Sequence, residues 1–232
     1  MRIGLLSDVH GNLPALEAVL EDVADGRTHE RERVHGGGVD ALVCAGDVVG
    51  YNPWPAECVD RLRTRDIPTV MGNHDRAVVE GTAFRFNEMA AAGVEYATDQ
   101  LAERQRSWLA DLPDERREFD DRLKLVHGHP DDPDRYTYPR QFSPRLLEDE
   151  DVLVLGHTHV QHVERYAEGT VVNPGSVGQP RDGDPRAAYA VVDLESGTVE
   201  TRRVEYDIER VQEAVREAGL PERIASRLAR GK

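Results

Sequence analysis

Apolar residues recur along the chain with two periods that take turns. Ile3 to Ser7 is a short apolar run closed by Asp8 and Gly11, the pattern of a buried strand. From Leu13 to Ala24, residues Leu13, Leu16, Val19, Leu20 and Val23 fall at helical spacing, with Pro14 in the first turn. Residues 26–38, including Gly36-Gly37-Gly38, have no period and read as a flexible surface loop. Ala41 to Ala45 predicts a second strand, Pro55 to Arg63 a helix with Cys58 and Leu62 on one face, and Ile67 to Met71 a third strand.

The second half changes character. Residues 84–112 predict a mostly helical stretch, capped by Asn87 and anchored by Leu101, Trp108, Leu109 and Leu112. Residues 116–119 and 122–126 can pair as a hairpin. Val152 to Leu155, Val160 to Arg165, Thr170 to Val172, Ala187 to Val192 and Thr198 to Val204 are short strands parted by turn residues. The end (207–229) is helical: Ile208, Val211, Val215 and Ala218 recur at 3–4 spacing, and Pro221 opens a last short helix. Strand alternates with helix early and strand follows strand later, which predicts two packed sheets with helices outside, in one domain spanning 1–232. The C-terminal helices either pack on that domain or join two copies as a homo-oligomer.

Composition narrows the class. No run of about 18 apolar residues exists, so no membrane span is expected. Met1 to Leu6 lacks the apolar core and cleavage site of a signal peptide. Two cysteines, Cys44 and Cys58, make neither a disulfide framework nor a Cys-rich zinc site, so a cytoplasmic location is expected. With 44 acidic against 29 Lys and Arg residues, the net charge is −15, which should repel duplex nucleic acid. Only Lys124 and Lys232 are lysines. Dense carboxylate with almost no lysine suits a halophile's cytoplasm, where salt screens it; a G+C-rich genome gives the same composition.

Five polar clusters each follow an apolar strand: Asp8-Val9-His10, Gly46-Asp47, Gly72-Asn73-His74-Asp75, His127-Gly128-His129 and Gly156-His157-Thr158-His159. Six of the nine histidines fall within them. Ligand sites of open α/β sheets lie beyond the carboxyl ends of the strands, so the five can converge on one crevice. Any one cluster is common on solvated loops; five in series point to a metal site. Imidazole with carboxylate and amide oxygen suits divalent ions, and a shared carboxylate can bridge two of them about 3.5–4 Å apart with a nucleophilic hydroxide between. A structural zinc site would close on four Cys/His ligands; here the donors outnumber one ion's needs. The i, i+2 spacing of Asp8/His10 and of His157/His159 predicts paired side chains on one side of extended chain.

Together Asp8-x-His10, Gly46-Asp47-x-x-Gly50, Gly72-Asn73-His74-Asp75, His127 and Gly156-His157-Thr158-His159 resemble the motifs of the calcineurin-like metallophosphoesterase superfamily, in its order, over residues 1 to about 193. Residues 173–181, Asn-Pro-Gly-Ser-Val-Gly-Gln-Pro-Arg, resemble its small bacterial and archaeal phosphoesterase (phosphodiesterase) branch. The resemblance implies an α/β fold, a four-layer α/β/β/α sandwich of two mixed β-sheets flanked by helices. It implies two divalent metal ions, manganese first and Fe, Ni or Zn as alternatives. Asp8, His10, Asp47 and His159 would hold one ion, and Asp47, Asn73, His127 and His157 the other. The implied reaction is hydrolysis of a small phosphate ester, by a phosphodiesterase or phosphatase, with a metal-bridging hydroxide as nucleophile and His74 as general acid or substrate-orienting group.

The protein phosphatase branch carries an acidic residue and an arginine where this chain has Gly50 and Tyr51, which argues against phosphoprotein substrates. Arg181 is the candidate cation for a substrate phosphate, or else a surface arginine in a turn-rich run. Ser176 offers donors or merely closes a turn. Tyr51 and Trp54 could form a pocket wall, with Trp54 equally able to pack on its helix, and His129 either lines the pocket or supports it. The stretch 84–112 either rims the pocket or adds an outer layer. Two rival readings remain: a nucleotide pyrophosphohydrolase, which needs a base-binding wall from Tyr51 or Trp54, and a non-catalytic scaffold such as the retromer subunit of this fold, disfavoured because every ligand position is filled.

Overall fold

A computed structural model describes residues 1–25, 38–84 and 86–232. The loop expected at 26–38 therefore lies outside the described residues except for Gly38. The first sheet contains β1 (Arg2–Leu6), β2 (Ala41–Cys44), β8 (Ala187–Asp193) and β9 (Thr198–Val204), in the order β2-β1-β8-β9. The second contains β3 (Glu115–Glu118), β4 (Leu123–Val126), β5 (Val152–Val154), β6 (His162–Arg165) and β7 (Thr170–Asn173), in the order β3-β4-β5-β7-β6. Both are mixed: β1/β2, β4/β5 and β5/β7 run parallel, and the other pairs antiparallel.

Alternation along each strand builds the layers. Ile3 and Leu5 of β1, Val43 of β2 and Ala190 and Val192 of β8 meet Leu123, Leu125, Val152, Val154 and Val172 in a core between the sheets. Leu6 and Cys44 turn the other way, onto helices α1 (Leu13–Asp25) and α2 (Pro55–Arg63). The outer face of the second sheet, with Val126, Leu153 and Val171, is covered by Phe142, Leu146 and Leu147 from a segment holding two short 3-10 turns. The expected sandwich of two mixed sheets flanked by helices is thus present, with its fourth layer reduced to those turns.

Three further helices, α3 (Asn73–Glu80), α4 (Glu88–Gln100) and α5 (Glu103–Ala110), follow in the chain. Asn87 caps α4 as expected, its Oδ1 accepting from the Ala90 N–H at 3.1 Å. The C-terminal helices α6 (Ile208–Glu217) and α7 (Glu222–Leu228) pack around Tyr51 and Ala90, so they join the body of the protein.

Two local expectations fail. Residues 67–71 form no strand, only a single parallel bridge between Thr69 and Cys44. Pro68 has no N–H to donate, and the Met71 N–H turns away to the Pro113 carbonyl at 2.8 Å. Helix α3 was not expected, because Asn-His-Asp-Arg has no apolar period. Its start is set by Asp75, whose Oδ2 accepts from the Gly72 N–H at 3.0 Å, and its end by Gly81 at φ 64°.

Candidate metal centre and cleft

The carboxyl ends of β1, β2, β4 and β5, with the Thr69 bridge, face one end of the sandwich, and all five polar clusters meet there. The extended geometry expected for Asp8/His10 and His157/His159 does not occur. All four lie in the left-handed region, at φ 53°, 49°, 66° and 58°, and Asp47 joins them at 54°. The strands stop and the chain folds back on itself, which lets side chains from five loops converge. Glycine permits the close approaches: a Cβ on Gly72 would sit 2.1 Å from Asp47 Oδ1, and one on Gly156 2.1 Å from Ser7 Oγ.

Two donor groups result. Asp8, His10 and His159 form one, with His159 Nε2 3.3 Å from Asp8 Oδ1 and 3.0 Å from His10 Nε2. Asp47, His127 and His157 form the other, joined by Asn73, whose Oδ1 lies 3.1 Å from His127 Nε2. Asp47 Oδ2 stands between them, 3.5 Å from His10 Nε2 and 3.3 Å from His127 Nε2.

The outward ring nitrogens are held as those of metal-binding histidines commonly are. His10 Nδ1, His127 Nδ1 and His159 Nδ1 face the carbonyls of Val49, Ala45 and Gln179 at 3.0, 2.8 and 2.6 Å, and His157 Nε2 faces that of Asp134 at 3.1 Å. A carbonyl only accepts, so each of these nitrogens carries a proton, and the inward nitrogen of a neutral ring presents a lone pair. The inward nitrogens meet at 3.0 Å (His10/His159) and 3.1 Å (His127/His157). Two lone pairs facing each other at that distance repel, and a shared proton or metal ion removes the repulsion. The donor set of imidazole, carboxylate and amide oxygen fits divalent metal.

Electrostatics agree. Burial pushes His10 and His159 below the usual imidazole range, and it pushes His157 to about 3, with help from His127. His127 alone goes up, to about 10: burial opposes the charge, but Asp47 outweighs it. Burial also works against charge on Asp8 and Asp47, yet the neighbouring His159 and His127 hold both carboxyls below their ordinary range. His127 thus carries the positive charge that faces Asp47.

His74 adjoins both groups, with ligand atoms of His74, His10 and Asp47 all within 4.8 Å of one another. Its backbone N–H donates to Asp47 Oδ1 at 2.8 Å, its ring packs against His10, Tyr51 and Phe86, and its Nδ1 is buried with no hydrogen-bond partner. Gly50 explains the missing partner: a Cβ there would lie 2.4 Å from that Nδ1. Burial moves His74 down to about 4, and Arg181 pushes the same way against Asp47. Beside His74 opens a cleft of about 690 Å³, lined by Asn73, His157, His159, Arg181 and Tyr51 among others.

The remaining candidates separate by position. Arg181 lines the cleft, its Nη2 donating to the Tyr51 hydroxyl at 3.2 Å and to Gln179 Oε1 at 2.8 Å. Ser176 does not reach the cleft: its buried hydroxyl donates to the Asp8 carbonyl and accepts from the Gln179 N–H, both at 2.7 Å. Trp54 is partly buried against the core beside α2 and does not line the cleft, whereas Tyr51, itself buried, does. His129 is outside the lining and shapes its own loop, Nδ1 accepting from the Asp131 N–H at 3.0 Å. Of the 84–112 stretch, Phe84, Phe86, Asn87 and Ala90 rim the cleft while α5 packs on α2 and α3. Residues not expected at the site include Asp75, whose Oδ1 accepts from the Val48 and Val49 N–H groups at 2.9 and 3.1 Å, and Tyr136, stacked on His157 at 3.8 Å. A carboxylate one residue after His74 was the only hint of the first; nothing local marked the second.

A sequence profile described as the calcineurin-like phosphoesterase superfamily domain matches residues 1–197. The chain belongs to that superfamily. It is 31% identical to an uncharacterised protein, MJ0912, of Methanocaldococcus jannaschii, over 99% of this chain and 98% of that one. It is 30% identical to phosphodiesterase YfcE of Escherichia coli, over 83% of this chain and 88% of that one. Among solved structures, a metallophosphoesterase from Sphaerobacter thermophilus superposes with a TM-score of 0.83 at 36% identity, covering 100% of this chain and 99% of the other. Members of this superfamily are metal-dependent phosphoric ester hydrolases, and this chain is one. No helix among the described residues is long and apolar enough to cross a membrane.

Proposed function

We propose that the chain, acting as one domain in the cytoplasm, hydrolyses a small phosphate ester with two divalent ions held by Asp8, His10, Asp47, Asn73, His127, His157 and His159. The observation that carries this reading is the pair of inward-facing imidazole contacts with Asp47 between them. Manganese leads, and Fe, Ni and Zn suit the same N/O donors. Bound there, the ions would supply positive charge for the phosphoryl oxygens and a water activated for attack.

The chain's own residues do the rest. Arg181, held on Tyr51 and Gln179, turns a guanidinium toward the cleft for a phosphoryl oxygen. His74 is neutral in the empty site, because burial lowers it to about 4. A phosphate anion bound in the cleft beside the ring favours the imidazolium, which can then pass a proton to the leaving oxygen. Before that step His74 also holds Asp47 in place, its backbone N–H donating to Asp47 Oδ1.

The test is metal analysis of purified protein with hydrolysis of p-nitrophenyl and bis(p-nitrophenyl) phosphate under added Mn²⁺, Ni²⁺ or Zn²⁺. Two ions per chain and hydrolysis are expected, and His74→Ala should keep both ions while losing about 10²–10⁴-fold in rate. Protein that takes up no metal and cleaves neither ester defeats the reading; a His74→Ala variant at full rate removes the acid role alone.

A further inference from the structure

Large apolar side chains left bare are few, and two of them line the cleft beside the candidate metal centre. Among the described residues, Met1, Val79, Phe84, Tyr136 and Tyr138 are the exposed ones. Phe84 is 96% and Tyr136 45% exposed, and both line the cleft. Tyr136 is held in place by its neighbours: its ring stacks on His157 with centroids 3.8 Å apart and on Tyr138 at 5.9 Å. Phe86 lines the cleft as well and packs on His74 at 4.6 Å.

Its polar surroundings make the apolar surface unusual. The chain has only 13 aromatic residues, counting 2 Trp, 7 Tyr and 4 Phe. Two exposed rings lining one cleft beside polar donors offer an apolar surface to part of a bound ligand. The cleft, at about 690 Å³, has room for far more than a phosphoryl group. The two aromatic residues that the sequence suggested for such a wall offer little ring surface: Tyr51 reaches the lining but is buried against His10 and His74, and Trp54 packs, partly buried, against the core.

We infer that Phe84 and Tyr136 form a binding wall for a planar aromatic substituent of the phosphate ester, a nucleoside or an aryl group, whose phosphoryl end lies at the donor groups. This rests on the phosphoesterase reading. A flat ring stacks on such a wall whatever its edge pattern, so the wall selects for aromatic esters and leaves the choice among them to the rest of the cleft.

Binding, measured by calorimetry on the Mn²⁺-loaded protein, tests this without turnover. The ligands are phosphonates, whose C–P bond resists hydrolysis: phenylphosphonate against methylphosphonate, and the 5′-methylenephosphonate of adenosine against that of ribose. The aromatic member should bind about tenfold tighter in at least one pair, as stacking of one ring provides. Adenosine preferred with phenyl not preferred identifies a nucleoside; both preferred identifies aryl groups in general. Phe84→Ala and Tyr136→Ala should each bring the ratio toward one, and Tyr136→Phe should keep it. Phe84 is so exposed that its removal leaves the fold intact, so the comparison survives if Tyr136→Ala disturbs His157. Equal binding within both pairs in the wild type, or a ratio unchanged in both alanine variants, overturns the inference. Bis(p-nitrophenyl) phosphate is assayed in parallel: failure there counts against the phosphoesterase reading and leaves the binding ratios legible.

Discussion

At the scale of single residues the centre depends on backbone as much as on side chains. Six of the ten non-glycine residues with left-handed φ among those described are Asp8, His10, Asp47, Tyr51, His157 and His159. Such conformations cost of order 1–2 kcal/mol each and persist only where the surroundings impose them. Here the turned backbone aims donors inward while carbonyls hold the outer nitrogens. His127 makes the electrostatic state measurable. Its folded value of about 10 lies above the ordinary 6.5, so in the metal-free protein its proton is present at pH 7. The stability that this proton contributes to the metal-free fold is complete below pH 6.5 and is lost as the pH rises through about 10. Metal binding must expel the proton. Calorimetric titration with Mn²⁺ at pH 7 in buffers of different ionisation enthalpy should therefore show about one proton released per chain from His127, with affinity rising between pH 7 and 9. Heats that do not depend on the buffer would contradict this assignment.

Elements position those residues through a few long-range ties. Asp75 is the strongest. It accepts from Gly72 at the start of α3 and from Val48 and Val49 after β2, so one carboxylate binds the Asn73 turn to the Asp47 turn. Removing it leaves three buried N–H groups without their acceptor. Asp75→Ala should lower the unfolding free energy by about 3 kcal/mol and reduce bound metal. Asp75→Asn should do less on both counts, because its amide oxygen can still accept from Val48 and Val49. Chemical denaturation with metal analysis of each variant checks the pair, and an alanine variant as stable as the wild type would show that water replaces the carboxylate. Ser176 acts similarly, joining the loop before β8 to Asp8. Its neighbours Pro174 and Gly175 announced a turn, but only the packed loop shows that the hydroxyl points into the protein.

Across the whole molecule, charge sets the conditions. The net −15 is offset locally by arginine: Arg117 alone meets Glu148, Asp149 and Glu150 within 4.0 Å. Lys124, one of the two lysines, is buried and paired with Glu115 and Glu148 at 3.0 and 3.1 Å. Salt weakens such exposed pairs and also relieves the general repulsion, and with 44 acidic residues against 29 Lys and Arg the second effect should win. The melting temperature in 2 M KCl should exceed that in 0.1 M KCl by roughly 5 °C, which one to two kcal/mol gives at this size. A flat or falling melting temperature would leave the acidic composition without a role in stability.

The sequence by itself determined which chemistry stands at each strand end. Period-two and period-3.6 patterns report burial, and burial marks where β1, β2, β4 and β5 stop, so Asp8, Asp47, His127 and His157 could be placed in order before any contact was known. Residues 67–71 misled because an apolar run reads as strand even where Pro68 forbids the ladder, and α3 was hidden because its stability comes from Asp75 rather than from an apolar stripe. Only the tertiary structure decided which carbonyls orient the histidines, that Trp54 and Ser176 are spent on packing, and that Phe84 and Tyr136 wall the cleft. Those are contacts between segments far apart in the chain. They depend on how the two sheets and their covering helices pack, and a local pattern of apolar and polar residues carries no record of that.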